Sequence, residues 1–114
     1  MIDEALLSAR AMVLHDLNVA GQDVAACINV LDAVVAERRW WVEQWPEGAD
    51  YVAGQITQDV QERLLDAGLG RWPLCRSCDE TEVHELNVSP ELGADAAWVC
   101  ERAGIHVADV GELR

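Results

Sequence analysis

The stretch "RWPLCRSCDETEVHELNV", residues 71–88, divides the chain into two textures. Upstream of it, apolar residues recur every three or four positions, the period of a helix buried along one face. Downstream, short alternating runs, acids and turn residues take over, as in small strands. The stretch itself carries a C-x-x-C pair, Cys75 and Cys78, and such a pair is usually half of a metal site or a redox couple. The expected organisation is an α+β chain: a helical region over residues 1–70 and a small zinc-ribbon-like β module over residues 71–114 packed on it.

Working back from this stretch, Asp3 can cap a first helix in which Leu6, Ala9, Val13 and Leu17 share a face, and Gly21 is placed to stop it. Asp23 is placed to cap a second helix. There Val24, Cys27, Ile28, Leu31, Val34, Val35, Arg38, Trp41, Val42 and Trp45 form the strongest periodic signal in the chain, and Pro46 follows. A single kinked helix is the alternative, because Gly21 alone does not compel a break. "PEGAD" reads as a turn. Asp50 then caps a third helix with Val52, Ile56, Val60, Leu64 and Ala67 on one face, ended by "GLG" at 68–70. Short connections favour antiparallel neighbours, so a helical hairpin or three-helix bundle is expected. Cys27 reads as a small buried hydrophobe and His15 as a helix-surface residue.

Working forward, His84, Leu86 and Val88 alternate onto one face of a strand, and "AAWVC" and "GIHVADV" read as two more. Residues 73–114 hold few large apolar side chains, and a segment of that size needs a staple or a docking partner to stay folded. A structural zinc supplies such a staple, because metal-binding free energy becomes folding free energy. Cys75 and Cys78 can form one knuckle aiming two sulfurs at one ion. "CERAG", residues 100–104, stands where a symmetrical ribbon would place its second knuckle, but Ala103 holds the fourth cysteine's place. A histidine must complete the set. His84, on the inward face of its strand, is the preferred ligand, giving Cys75, Cys78, His84 and Cys100 around a structural Zn2+; His106 is the alternative. In the redox reading the pair is a thiol couple without metal. It is disfavoured because Asp79, Glu80 and Glu82 oppose a low thiol pKa, with only Arg76 favouring one.

Composition narrows the function classes. The 114-residue chain is 51% apolar, enough for a core, and carries a formal charge of −13. It has no lysine and no phenylalanine, the bias of a high-GC bacterial or phage genome; without lysine there is neither a P-loop nor a Schiff base. The acidic field repels a phosphate backbone, so direct nucleic-acid binding is not expected. No apolar run is long enough for a membrane span, and the acidic start lacks the basic region of a signal peptide. A cytoplasmic protein with reduced thiols is expected.

At "WPLC…HEL…WVC" the chain resembles small actinobacterial proteins that end in a zinc-ribbon-like module. Trp72, Pro73, Cys75, Cys78, His84, Leu86, Trp98, Val99 and Cys100 match their pattern of Trp-Pro, cysteine knuckle, histidine with leucine two positions on, and Trp-Val-Cys before a last strand. The resemblance covers the last third of the chain well and the helices loosely. It implies His84 as a ligand and no particular activity.

Catalytic signatures fail one by one. "HELNV" begins like H-E-x-x-H, but Val88 stands at the second histidine's place. The order and spacing required of zinc deaminases are wrong, and Ser8, Ser77 and Ser89 lack a nucleophile-elbow setting. A metal fully ligated by protein leaves no open position for substrate. The expected function is a non-enzymatic, zinc-stabilised protein-interaction module, an adaptor or accessory subunit. "RRWWVEQW" places Arg39 and Trp40 off the buried stripe, where they can serve as interface anchors for a protein partner or a second copy of this chain. An acidic antagonist that mimics nucleic acid toward a basic protein is the runner-up, and a thiol redox protein the third reading.

Overall fold

A computed structural model describes residues 2–78, 82–90 and 92–114. Three helices, α1 (Ile2–Val19), α2 (Ala25–Gln44) and α3 (Val52–Asp66), pack against one another, with a 3-10 turn (Pro46–Tyr51) between the last two. A small antiparallel sheet follows, with β1 (Asn87–Ser89), β2 (Ala97–Cys100) and β3 (Ile105–Asp109) in sequential order. The architecture is a three-helix bundle carrying a three-stranded sheet.

The helices form where apolar periodicity demands cover. Leu6, Ala9, Val13 and Leu17 of α1 are buried, as are Cys27, Leu31, Val34 and Val42 of α2 and Val52, Ile56, Val60 and Leu64 of α3. Two helix ends are built alike. Gln22 N–H donates to Leu17 O at 2.8 Å and Gly21 N–H to Asn18 O at 3.0 Å; Leu69 N–H and Gly68 N–H repeat this on Leu64 O and Leu65 O at 2.8 and 3.1 Å. These are Schellman closures, and each needs a left-handed residue, supplied by Gly21 (φ 72°) and Gly68 (φ 74°). α1 and α2 are therefore two helices, not one kinked one.

Three expected caps are absent; Asp3 lies within the first turn of α1, not ahead of it. Helix α2 starts one residue after Val24, which has no side-chain capping bond; Asp23 instead accepts from Asn18 Nδ2 at 2.8 Å. Asp50 lies inside the 3-10 turn, and Tyr51 occupies the N-cap of α3. Asp23 and Asp50 are drawn off by local geometry that single-residue preferences do not register. The stripe of α2 is also shorter than its periodicity. Val24 precedes the helix and is exposed. Trp45 is the C-cap, with φ −140° and ψ 83°, so its ring swings out of the stripe. It packs edge-on against Trp41 at 5.3 Å and beside Tyr51 at 5.8 Å, and stays 38% exposed. Ala67, the C-cap of α3, is likewise exposed.

The sheet is held by alternation and by the bundle beneath it. Val88 pairs with Trp98, and Trp98 with Ala108, with an irregularity between Trp98 and Val99. Trp72, Leu86, Val88, Trp98, Cys100, Val110 and Leu113 join the helical side chains in one continuous apolar core.

Candidate metal centre

Residues 73–75 run antiparallel to residues 84–86. Leu74 bridges Glu85, Cys75 N–H donates to His84 O at 2.8 Å, and Leu86 N–H donates to Pro73 O at 2.9 Å. This short ladder ties Cys75 directly to His84, and Cys78 follows three residues after Cys75. Gln61 Nε2 of α3 donates to Leu86 O at 2.6 Å and fixes the ladder on the bundle. Cys100 arrives separately, at the end of β2, where the turn into β3 is closed by Gly104 N–H donating to Cys100 O at 2.8 Å.

These elements bring Cys75, Cys78, His84 and Cys100 together, with all four ligand atoms within 4.8 Å of one another. Cys75 Sγ lies 3.8 Å from Cys78 Sγ, and His84 Nε2 lies 3.5 Å from both Cys78 Sγ and Cys100 Sγ. A tetrahedral centre with metal–sulfur bonds of ~2.3 Å and metal–nitrogen bonds of ~2.0 Å sets its ligand atoms ~3.8 Å apart for S···S and ~3.5 Å apart for S···N. The observed separations fit that geometry, and no cysteine is in a disulfide. His106 stays outside: it is exposed and lies 3.0 Å from Asp109 Oδ1 through Nε2.

The surroundings favour ligation. His84 Nδ1 lies 2.9 Å from Glu82 O, so Nδ1 carries the proton and Nε2 turns its lone pair toward the sulfurs. That backbone hydrogen bond, with help from Cys100, raises the His84 pKa above 6.5. The Cys100 thiol is held down at about 7, first by the backbone N–H of Ala103 and then by His84. Ala103, which replaces a ribbon's fourth cysteine, thus still contributes the N–H···S contact of a knuckle. Cys100 is fully buried, His84 is buried, and Cys75 and Cys78 are half-buried, so the cluster is shielded without being sealed. Cys27 stands apart in the bundle, its thiol pKa raised by burial.

A family model described as a domain of unknown function, DUF8819, matches residues 2–110. The chain belongs to that family. The match takes in the helices as well as the cysteine-bearing module, so the two form one family unit. No curated protein and no solved structure matches the chain.

In this DUF8819 chain the sheet and the bundle are pinned together by Asp16, which sequence reasoning passed over. Its carboxylate is fully buried at the C-terminal end of α1. Oδ2 accepts from Trp98 Nε1 at 2.8 Å and Gly111 N at 2.7 Å, and Oδ1 accepts from Leu113 N at 3.1 Å. His15 Nδ1 lies 2.9 Å from Oδ1. The backbone carbonyl of Asp16, one of the last four of its helix, accepts from Trp72 Nε1 at 3.2 Å. The two indoles meet edge-to-face at 5.1 Å. The signal was present: Asp16 falls on the stripe of Leu6, Ala9, Val13 and Leu17, and an acid on a buried stripe requires donors.

Of the two surface anchors, Trp40 is 66% exposed and Arg39 pairs with Asp3 at the start of α1. Among the described residues no helix is long and apolar enough to cross a membrane.

Proposed function

We propose that Cys75, Cys78, His84 and Cys100 hold one structural Zn2+, and that the protein is a non-enzymatic interaction module, an adaptor or accessory subunit. The observation that carries the metal reading is the pair of separations, 3.8 Å for S···S and 3.5 Å for S···N, around one point. Three thiolates and an imidazole in tetrahedral array suit zinc over hard cations. Four protein ligands leave no open coordination position, which favours a structural role over a catalytic one. A redox couple needs neither His84 nor Cys100 beside the C-x-x-C pair, whereas a metal site needs both.

The interaction reading rests on the far end of α2. Trp40 is exposed, with Arg39 before it in the helix, and the rings of Trp41, Trp45 and Tyr51 pack together at the same end of α2. An exposed indole on a helix is a favoured interface anchor.

Native mass spectrometry before and after chelation, with a thermal melt on each sample, tests the metal. One zinc per chain and a melt that falls on chelation are expected; a metal-free chain with an unchanged melt would overturn the reading. For the partner surface, native pull-downs with the wild type and Trp40→Ala are compared. A partner held by the wild type and lost by the variant is expected; equal capture by both would remove Trp40 from the interface.

A further inference from the structure

In a chain with 21 acidic and 8 basic residues, an arginine should rarely lack a carboxylate. Five arginines follow that rule: Arg10 pairs with Asp32, Arg38 with Asp59, Arg39 with Asp3, Arg63 with Glu37 and Arg102 with Glu82. The other three, Arg71, Arg76 and Arg114, have no carboxylate partner among the described residues. Arg71 reaches only the Val83 carbonyl, at 3.4 Å. All three line one groove of about 750 Å³, between the C-terminal end of α1, the cysteine ladder and β3 with the segment after it. His15 and His106 line it too.

We propose that this groove binds a small polyanion, a molecule of metabolite size bearing phosphate or carboxylate groups. Guanidinium forks match both groups in bidentate geometry, and no carboxylate among the described residues engages the three here. The groove's volume lies in the range of small-molecule sites, roughly 300–1,000 Å³. Among the described lining residues the acidic side chains are Asp109, which faces His106, and Glu112, so three guanidinium groups face two carboxylate side chains in a chain of net −13. That contrast also sets the size of the ligand. A nucleic acid or long acidic peptide would extend from the groove into the negative field and be repelled. A compact anion stays within about one Debye length, ~8 Å, of the three guanidinium groups.

The site is separate from the Trp40 end. Arg39 binds Asp3 near the start of α1, while His15 and Val19 line the groove near its end, so roughly 18–24 Å of helix lies between them at 1.5 Å per residue. It is also separate from the metal reading, because the readout is anion binding and zinc content is measured on the same samples.

The test titrates the 15N-labelled full chain, as purified with zinc, with pyrophosphate and separately with citrate. Saturable amide shifts at residues lining the groove are expected. Arg76→Gln with Arg114→Gln should weaken binding by at least about tenfold, as expected for losing charge-assisted hydrogen bonds. Arg10→Gln with Arg63→Gln changes the net charge equally and should leave affinity unchanged. Tighter binding of pyrophosphate would assign phosphate esters, and tighter binding of citrate would assign polycarboxylates; both support the proposal. No saturable shift with either probe, or equal weakening in the two double variants, would overturn it. Melts and zinc content of each variant confirm that the fold is kept.

Discussion

Asp16 gives the sharpest test of how the sheet is held to the helices. Asp16→Ala removes the acceptors of two buried donors, Trp98 Nε1 and Leu113 N, and of a part-buried one, Gly111 N. A buried donor left without a partner costs about 1–3 kcal/mol, so the two cost roughly 2–6 kcal/mol, and with a smaller share from Gly111 N a loss near 4 kcal/mol is expected. That is a large share of the ~5–15 kcal/mol that holds a typical domain together. Asp16→Asn is the discriminating partner. Its amide oxygen can still serve the two donors now on Oδ2, but its NH2 then faces the Leu113 N–H, so one donor is lost and the cost falls to about 2 kcal/mol. The assay is urea unfolding of the zinc-saturated protein, followed by far-UV circular dichroism and tryptophan fluorescence. Trp72 and Trp98 are both fully buried, so release of the sheet should also shift emission to the red. If Asp16→Ala lies within about 1 kcal/mol of the wild type, the carboxylate does not hold the sheet and the reasoning fails.

Three further outcomes follow from the same geometry. His84→Ala should abolish stoichiometric zinc binding while His106→Ala leaves it intact, read by metal content after gel filtration; the reverse would exchange the two histidines' roles. Gly48→Ala should cost about 1–3 kcal/mol by thermal or urea melt, because its new methyl would sit 2.7 Å from the Trp45 ring and 2.8 Å from that of Trp41; a neutral result would mean the aromatic cluster yields freely. In chelator-treated protein, Cys100 has a folded pKa of about 7 against an ordinary 9.0, so its contribution to stability is complete above 9.0 and is lost as pH falls through about 7. The gap in melting temperature between wild type and Cys100→Ser should therefore widen from pH 6 to pH 9, and a gap that narrows would refute the assigned shift. His84, raised above 6.5, contributes in the opposite sense, fully below 6.5 and less as pH rises through its folded value; its first cause, the bond to the Glu82 carbonyl, stays in both proteins, while the Cys100 share is lost in Cys100→Ser.

The sequence alone determined the helical faces and the three cysteines of the cluster, and ranked His84 ahead of His106 as the fourth member, because these are encoded in local spacing. Buried faces at three- and four-residue intervals mark α1, α2 and α3, and the alternation of His84, Leu86 and Val88 puts all three inward. That alternation favoured His84 over His106, and the structure brings His84 to the three sulfurs. What the sequence could not decide depends on atoms far apart along the chain. Asp23 and Asp50 looked like caps because capping preference is read one residue at a time, yet neighbouring geometry placed Val24 and Tyr51 there. Asp16 meets Trp98, Gly111 and Leu113 only once the sheet has docked. The five arginines paired with carboxylates and the three without one among the described residues are alike in sequence. Hydrogen bonds and ion pairs act over a few ångströms, so only the tertiary fold decides which charges are neutralised and which are left facing a groove.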